Sequence, residues 1–266
     1  MIEKTIHYVW LGSKEVPEKF AAFIENWRRL HPGWEIIKWN DENFDCENND
    51  WIKLAIEQKN YSLAADVIRS FVLLNHGGVY LDTDIELFKP LDELVNENDF
   101  FIGYETELWF GCAILGAKKG HKIMREVYER YLTPCKKLNA KSNMRCVLNF
   151  SAAIKRLYNV KLDGKIKKID DNTKLLSSDY FFPQHYITRR INMTDSTVAM
   201  HHYTSTWQST GQRVGKKIAK AVMLVLGKRV FRCFERIARV NMLTKLSIEY
   251  KKREVNRDSV GGQNGE

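Results

Sequence analysis

One unbroken segment constrains this chain more than any other. It is residues 64–86, Ala-Ala-Asp-Val-Ile-Arg-Ser-Phe-Val-Leu-Leu-Asn-His-Gly-Gly-Val-Tyr-Leu-Asp-Thr-Asp-Ile-Glu. Leu63, Val67, Phe71 and Leu74 recur at helical spacing, and Ala64, Ile68 and Val72 widen the apolar face. Ser62 stands where an N-cap belongs. Gly77-Gly78 is the expected stop, because glycine takes positive φ without a Cβ clash. Val79-Tyr80-Leu81 then reads as a short strand that delivers Asp82 at its end. In an extended backbone, residues at i and i+2 share a side, so Asp82 and Asp84 would present both carboxylates together. Such a pair suits a divalent cation with hard oxygen ligands, and that cation commonly carries a diphosphate. Read alone, an Asp-x-Asp can be an acidic turn. Asp66 and Arg69, neighbours on the helix surface, can be a solvated ion pair.

The rest of the chain bounds the setting. Its 266 residues can bury one large domain, or one domain with an appendage. Hydrophobic content of 44% places it among folded globular proteins rather than disordered ones. Cys46, Cys112, Cys135, Cys146 and Cys233 are scattered and never in a C-x-x-C pair. That argues against a disulfide framework or structural zinc and for a reducing, cytoplasmic setting. The start lacks the apolar core of a signal peptide, and the run from Ala221 to Gly227 is far shorter than the ~20 residues that cross a bilayer. A soluble or peripheral protein is expected. No Gly-x-x-x-x-Gly-Lys loop, Gly-x-Ser-x-Gly elbow or His-Glu-x-x-His is present, which removes P-loop NTPases, α/β-hydrolases and zincins.

Residues 5–11 read as a buried first strand, followed by a helix with Phe20, Phe23, Ile24 and Trp27, then a strand over 34–39 and a helix over 51–59. Strands are expected over 100–104 and 110–116, and helices over 121–132 and 147–158. Residues 159–185 are mixed, with Phe181-Phe182-Pro183 as a strand end, and 198–203 give the last strand. This alternation predicts an α/β fold with a largely parallel central sheet, in which ligands gather beyond the carboxyl ends of the strands. Trp10, Asp82/Asp84 and His202 all follow expected strands. Trp10 can be a core residue or a platform for a base. His201 and His202 would point to opposite faces of a strand, so at most one should reach the acidic pair, with the Ser205 hydroxyl as a further oxygen.

Taken together and in order, Ile6-His-Tyr-Val-Trp10-Leu-Gly, Ala64-Ala-Asp66-Val-Ile-Arg69, Gly77-Gly-Val-Tyr80-Leu-Asp82-Thr-Asp84 and His201-His202-Tyr-Thr-Ser-Thr-Trp207 resemble glycosyltransferase family 32. These enzymes have a DXD-containing sugar-binding region. They include initiating mannosyltransferases and capsule or lipopolysaccharide transferases, and are related to the glucosyltransferase domain of clostridial toxins. The resemblance covers residues 2–120, fades over 121–195 and resumes at 198–207. It implies a GT-A type nucleotide-sugar-binding fold, a UDP- or GDP-linked hexose donor, Mn²⁺ or Mg²⁺, and retention of anomeric configuration. By the same resemblance Trp10 would stack on the base, and Asp66, Arg69 and Tyr80 would contact the donor. Asp84 would bind the metal directly, and Asp82 would contact the donor and reach the metal through water. His202 would be the further metal ligand, preferred over His201 from its spacing to Trp207, with Ser205 as a helper and Trp207 near the leaving diphosphate. The usual Ser before the last Trp is Thr206 here, and the mid-chain Thr-Gly-Pro-like element is not recognisable in residues 141–150.

Residues 213–257 carry fourteen Lys or Arg against Glu235, Glu249 and Glu254, while residues 1–212 balance 28 basic with 28 acidic side chains. With Ile218, Val222, Leu226, Val230, Phe234 and Ile237 at helical spacing, this reads as a basic amphipathic helical tail attracted to an anionic membrane surface. A helix packed on the domain with a solvated basic face is the plainer alternative, and no recognised module supports nucleic-acid binding. The expected organisation is a transferase domain over 1–212, the tail over 213–257 and a disordered end over 258–266. The enzyme would be peripheral on the inner face of the membrane, with a saccharide or lipid-linked saccharide acceptor. Competing readings are a transferase acting on a protein acceptor, a non-catalytic sugar-nucleotide-binding module, and a haloacid-dehalogenase-type phosphohydrolase. Glu86 stands where that last family wants Thr or Val.

Overall fold

The computed structural model describes residues 1–204, apart from 13, 108, 137, 139–144 and 187, together with residue 233. The expected domain boundaries at 212 and 257, the basic tail, Ser205, Thr206 and Trp207 lie outside the described residues.

The strands are β1 (Thr5–Val9), β2 (Glu35–Trp39), β3 (Gly78–Leu81), β4 (Ile85–Leu87), β5 (Phe100–Thr106), β6 (Trp109–Ala117), β7 (Lys167–Asp170), β8 (Thr173–Leu176) and β9 (Ala199–His201). The helices are α1 (Glu18–Leu30), α2 (Asp50–Glu57), α3 (Tyr61–Asn75), α4 (Asp92–Glu97), α5 (Lys122–Glu129), α6 (Arg145–Tyr158) and α7 (Ser178–Phe181). Seven strands form one sheet in the order β2-β1-β3-β6-β5-β8-β7, while β4 and β9 form a separate pair. The pairings β1–β2, β1–β3 and β5–β8 are parallel, and β6 and β7 run against their neighbours. Five strands therefore point one way, the largely parallel α/β sheet that the alternation predicts.

The sheet is the middle of three layers. Val9, Tyr80, Phe100, Ile102, Phe110 and Leu115 face α2, α3, α5 and α6, while Ile6, Tyr8, Val79, Leu81, Phe101 and Ile114 face α1, α4, α7 and the β4–β9 pair. Burial on both faces explains why β3 and β6 are apolar throughout rather than alternating.

Helix α3 confirms the helical spacing but corrects its start. Asn60, not Ser62, is the cap, its side chain accepting from the Leu63 N–H, and Ser62 lies inside the first turn. Gly77 and Gly78 both take positive φ, 72° and 99°, and a Cβ on Gly78 would stand 2.6 Å from the Thr5 carbonyl. Phe181-Phe182-Pro183 is not a strand end: Phe181 closes the short helix α7, and both aromatic rings insert against glycines of β5 and β6. The hairpin β7–β8 falls in the segment whose pattern is mixed.

Those glycines make room rather than turns. A Cβ on Gly111 would lie 2.0 Å from the Phe182 ring, which is 4% exposed and packs edge-on to His201 with centroids 6.0 Å apart. Gly111→Ala is therefore expected to cost ~1–3 kcal/mol, as overpacking does, in a urea titration, and to shift the His201 ring resonances.

His7 sits fully buried between β2 and the glycine turn. Its Nε2 lies 2.8 Å from the Gly77 carbonyl, and its Nδ1 accepts from the Trp39 indole at 3.1 Å. An indole only donates, so Nδ1 is unprotonated and the ring is the neutral Nε2–H tautomer. Burial pushes its pKa down to about 4, against the hydrogen bond to Gly77 and with help from His76. The folded pKa lies below the unfolded one. Falling pH therefore protonates the unfolded chain first, and stability is lost between about 6.5 and 4, by ~3 kcal/mol at most. His7→Gln, which has no proton to gain, should show a shallower fall in urea stability over that window. Equal slopes would exclude the assignment.

Candidate active site

The acidic pair occupies the crossing from one sheet to the other. The Asp82 amide still donates to Ala113 of β6 at 2.8 Å, and the Ile85 amide then donates back to the Asp82 carbonyl at 3.0 Å. Residues 82–84 are thus a turn, not an extended strand. The carboxylates converge because the chain reverses there, and not because alternate residues of a strand share a side.

Asp84 is held on both oxygens. Its Oδ2 accepts from the Thr204 amide at 2.8 Å and the Thr204 hydroxyl at 2.9 Å, and its Oδ1 lies 3.1 Å from His201 Nε2. The His202 amide donates to the Asp84 carbonyl at 3.0 Å. Burial opposes the charge on Asp84, but His201 and the Thr204 donors outweigh it and hold the carboxyl well below the usual range. Burial likewise works against a charged His201, and the neighbouring Asp84 carboxylate reverses this, so the ring's pKa is raised.

Register decides between the two histidines. In the antiparallel pair, His201 stands opposite Ile85, directly after the acidic turn. Ligand atoms of Asp82, Asp84 and His201 all lie within 4.8 Å of one another. His202 turns away: its Nε2 lies 2.8 Å from Glu86 Oε2, and its ring stacks on Phe23 at 4.9 Å. His201, and not the expected His202, therefore stands beside the acidic pair.

The set fits a divalent cation. Two carboxylates and an imidazole converge, and His201 Nδ1 is buried without a hydrogen-bond partner among the described residues. Carboxylate oxygens suit Mg²⁺ and Mn²⁺, and an added imidazole shifts the set toward the softer of the two.

Arg69 lies behind the pair on α3, 3% exposed. Its Nη2 donates to Asp82 Oδ1 at 2.8 Å, and its Nη1 faces Asp66 Oδ1 at 3.1 Å and Cys146 Sγ at 3.3 Å. Its guanidinium covers the Tyr80 ring at 4.2 Å. Asp66 and Arg69 are thus a buried pair rather than a solvated one. Burial raises Asp66 to about 7, the Arg69 charge opposing and the Asp82 charge adding. Tyr80, 1% exposed, packs beneath Arg69. Asp82 keeps a side chain 31% exposed, so it is the member of this group open to a ligand.

Trp10 is partly buried at the end of β1, its indole donating to the Lys14 carbonyl at 2.7 Å and its ring edge-on to Phe20 at 6.1 Å. Sequence reasoning missed Thr204, Cys146 and Glu105. The first is signalled only by following the two histidines, the second by nothing local. The Glu105 carboxylate acts on both His201 and Tyr203.

Residues 17–101 match the family described as "Glycosyltransferase sugar-binding region containing DXD motif". The match spans less than half of the chain. It contains α3, the glycine turn and Asp82-Thr83-Asp84, but not His201. Inositol phosphoceramide mannosyltransferase 1 of Schizosaccharomyces pombe is 34% identical over 124 residues, covering 42% of this chain and 38% of that protein. Mannosyl phosphorylinositol ceramide synthase SUR1 of Saccharomyces cerevisiae is 33% identical over 99 residues, covering 36% of this chain and 26% of its own length. The likeness thus spans well under half of these curated relatives. Among solved structures, the PaToxG glycosyltransferase superposes with a TM-score of 0.46 at 17% identity, over 59% of this chain and 70% of that one.

Proposed function

We propose that this protein is a metal-dependent, retaining glycosyltransferase that moves a hexose from a UDP- or GDP-linked donor to a saccharide or glycolipid acceptor. The observation that carries this reading is the convergence within 4.8 Å of Asp82 and Asp84, inside the stretch that matches a DXD-containing sugar-binding region, with His201 from outside it. The names of the curated relatives, mannosyltransferases of inositol phosphoceramide, favour a glycolipid over a protein acceptor. The basic residues of 213–257 suit an enzyme working at an anionic membrane surface on the cytoplasmic side. No helix among the described residues is long and apolar enough to cross a membrane.

Each side chain has a part in this reading. Asp84, its Oδ2 fixed by Thr204 and its Oδ1 turned toward His201 Nε2, stays ionised at any physiological pH and would share the cation with that imidazole. His201 supplies an imidazole from the opposite strand. Arg69 orients Asp82 and balances the buried charge of Asp66, while Tyr80 supports the guanidinium from below. Asp82, part exposed, meets the donor. Trp10 is the candidate platform for the base. Mn²⁺ or Mg²⁺ held by Asp82, Asp84 and His201 would offset the negative charge that develops on the leaving diphosphate. A non-catalytic binding module could dispense with such a set.

Purified protein incubated with Mn²⁺ and a panel of UDP- and GDP-sugars is expected to release nucleotide from one or a few donors. Release should fall to background with EDTA and return on adding Mn²⁺. Folded protein that hydrolyses no donor in the panel would count heavily against a transferase.

A further inference from the structure

The cation cluster depends on a segment that the sheet holds from one side only. Strand β9 ends at His201, and residues 202–204 leave it to reach Asp84. Tyr203 adopts a left-handed backbone, φ 49°, which turns Thr204 back so that its amide and hydroxyl both meet the carboxylate. Non-glycine residues hold this conformation only where surrounding contacts impose it.

One such contact is Arg189. Its Nη1 donates to the His202 carbonyl at 3.0 Å, its Nη2 to the Tyr203 carbonyl at 2.8 Å, and its guanidinium lies 5.2 Å from the Tyr203 ring centroid. One planar fork thus takes both peptide oxygens of the turn, a match that suits arginine and not lysine. Arg189 is itself left-handed, φ 60°, in a loop closed by the Gln184–Ile191 bridge and by the His185 amide on the Arg190 carbonyl at 2.9 Å. Its amide donates to the His185 carbonyl at 2.9 Å, and Nη1 also reaches Gln184 Oε1 at 3.3 Å.

We propose that Arg189 is a positioning residue for the divalent-cation site: by clamping the His202 and Tyr203 carbonyls it holds His201 and Thr204 against Asp84. The proposal rests on reading Asp82, Asp84 and His201 as the cation site, and the experiment separates the two.

Mn²⁺ affinity is measured by calorimetry on the full chain for the wild type, Arg189→Gln and Arg189→Lys, with thermal unfolding as the check on folding. Hydrogen exchange across residues 199–204 is followed in the metal-free proteins. Arg189→Gln is expected to weaken Mn²⁺ by about tenfold or more, the usual effect of losing a group that orients a ligand, and to speed exchange of the His202 and Thr204 amides. Arg189→Lys, which keeps the charge and one bond, should fall between, and it carries the test if the glutamine variant fails to fold. Lys122→Ala, in an exposed pair with Asp170, should keep the wild-type affinity. Wild-type affinity and protection in both Arg189 variants overturn the clamp while leaving the site intact. Wild-type protein that binds no Mn²⁺ overturns the cation site, and the clamp with it.

Discussion

Asp84→Asn is expected to lower donor turnover by a factor on the order of 10²–10³, the loss seen when one pre-arranged group facing developing charge is removed. The loss is geometric as well as electrostatic. Asp84 meets His201 Nε2 on one oxygen and two Thr204 donors on the other. An asparagine offers one acceptor and one amide, so it must face the histidine or Thr204 with N–H groups of its own. Either orientation gives up charge and one side of the clamp at once. Mn²⁺ affinity should fall with turnover, while KM for the donor, measured at saturating Mn²⁺, should move less. A wild-type rate in Asp84→Asn would remove this residue from the mechanism.

The second large effect is on the fold. Arg69→Leu is expected to destabilise the protein by ~3–5 kcal/mol, because it strands the buried Asp66 carboxyl and frees Asp82 from its anchor. The cost should depend on pH in a defined direction. Burial already raises Asp66 to about 7, and loss of the guanidinium raises it further. A carboxyl whose folded pKa exceeds its unfolded one gains stability as pH falls. The deficit of Arg69→Leu should therefore be largest near pH 8 and shrink toward pH 6, in urea titrations at both values. Adding Asp66→Asn should recover part of the loss at pH 8 and little at pH 6. Arg69→Lys should not restore activity, since a single ammonium cannot reach Asp66, Cys146 and Asp82 together.

What sequence could show, and what it could not, divides along the range of the interactions. Helix α3, the glycine turn and the arrival of Asp82 at a strand end are local. They follow from apolar spacing and from two residues that can take positive φ. Its cap is ambiguous by two positions because Asn60 and Ser62 are both competent, and only the fold of the preceding turn chooses. The choice between His201 and His202 was beyond local reasoning. It depends on the β4–β9 register and on Phe182 filling the space left by Gly111, contacts that join distant stretches of chain. The i and i+2 spacing points to the convergence of Asp82 and Asp84, but a turn and not a pleat brings them together. The β7–β8 hairpin was missed because Lys167-Lys-Ile-Asp170 is an edge strand with a mostly polar sequence.

The bond between Thr204 and Asp84 spans 120 residues of chain. The last strand of the main sheet ends at Leu176, so that sheet and its helices can form before β9 has been added. A chain emerging from the ribosome would thus assemble its scaffold first and receive its histidine late. The cluster of Asp82, Asp84 and His201, with its Thr204 donors, exists only once the polypeptide has been made through Thr204. A product truncated ahead of Ala199 would keep the acidic turn and the sheet around it, yet lack the imidazole and the two Thr204 donors that meet Asp84.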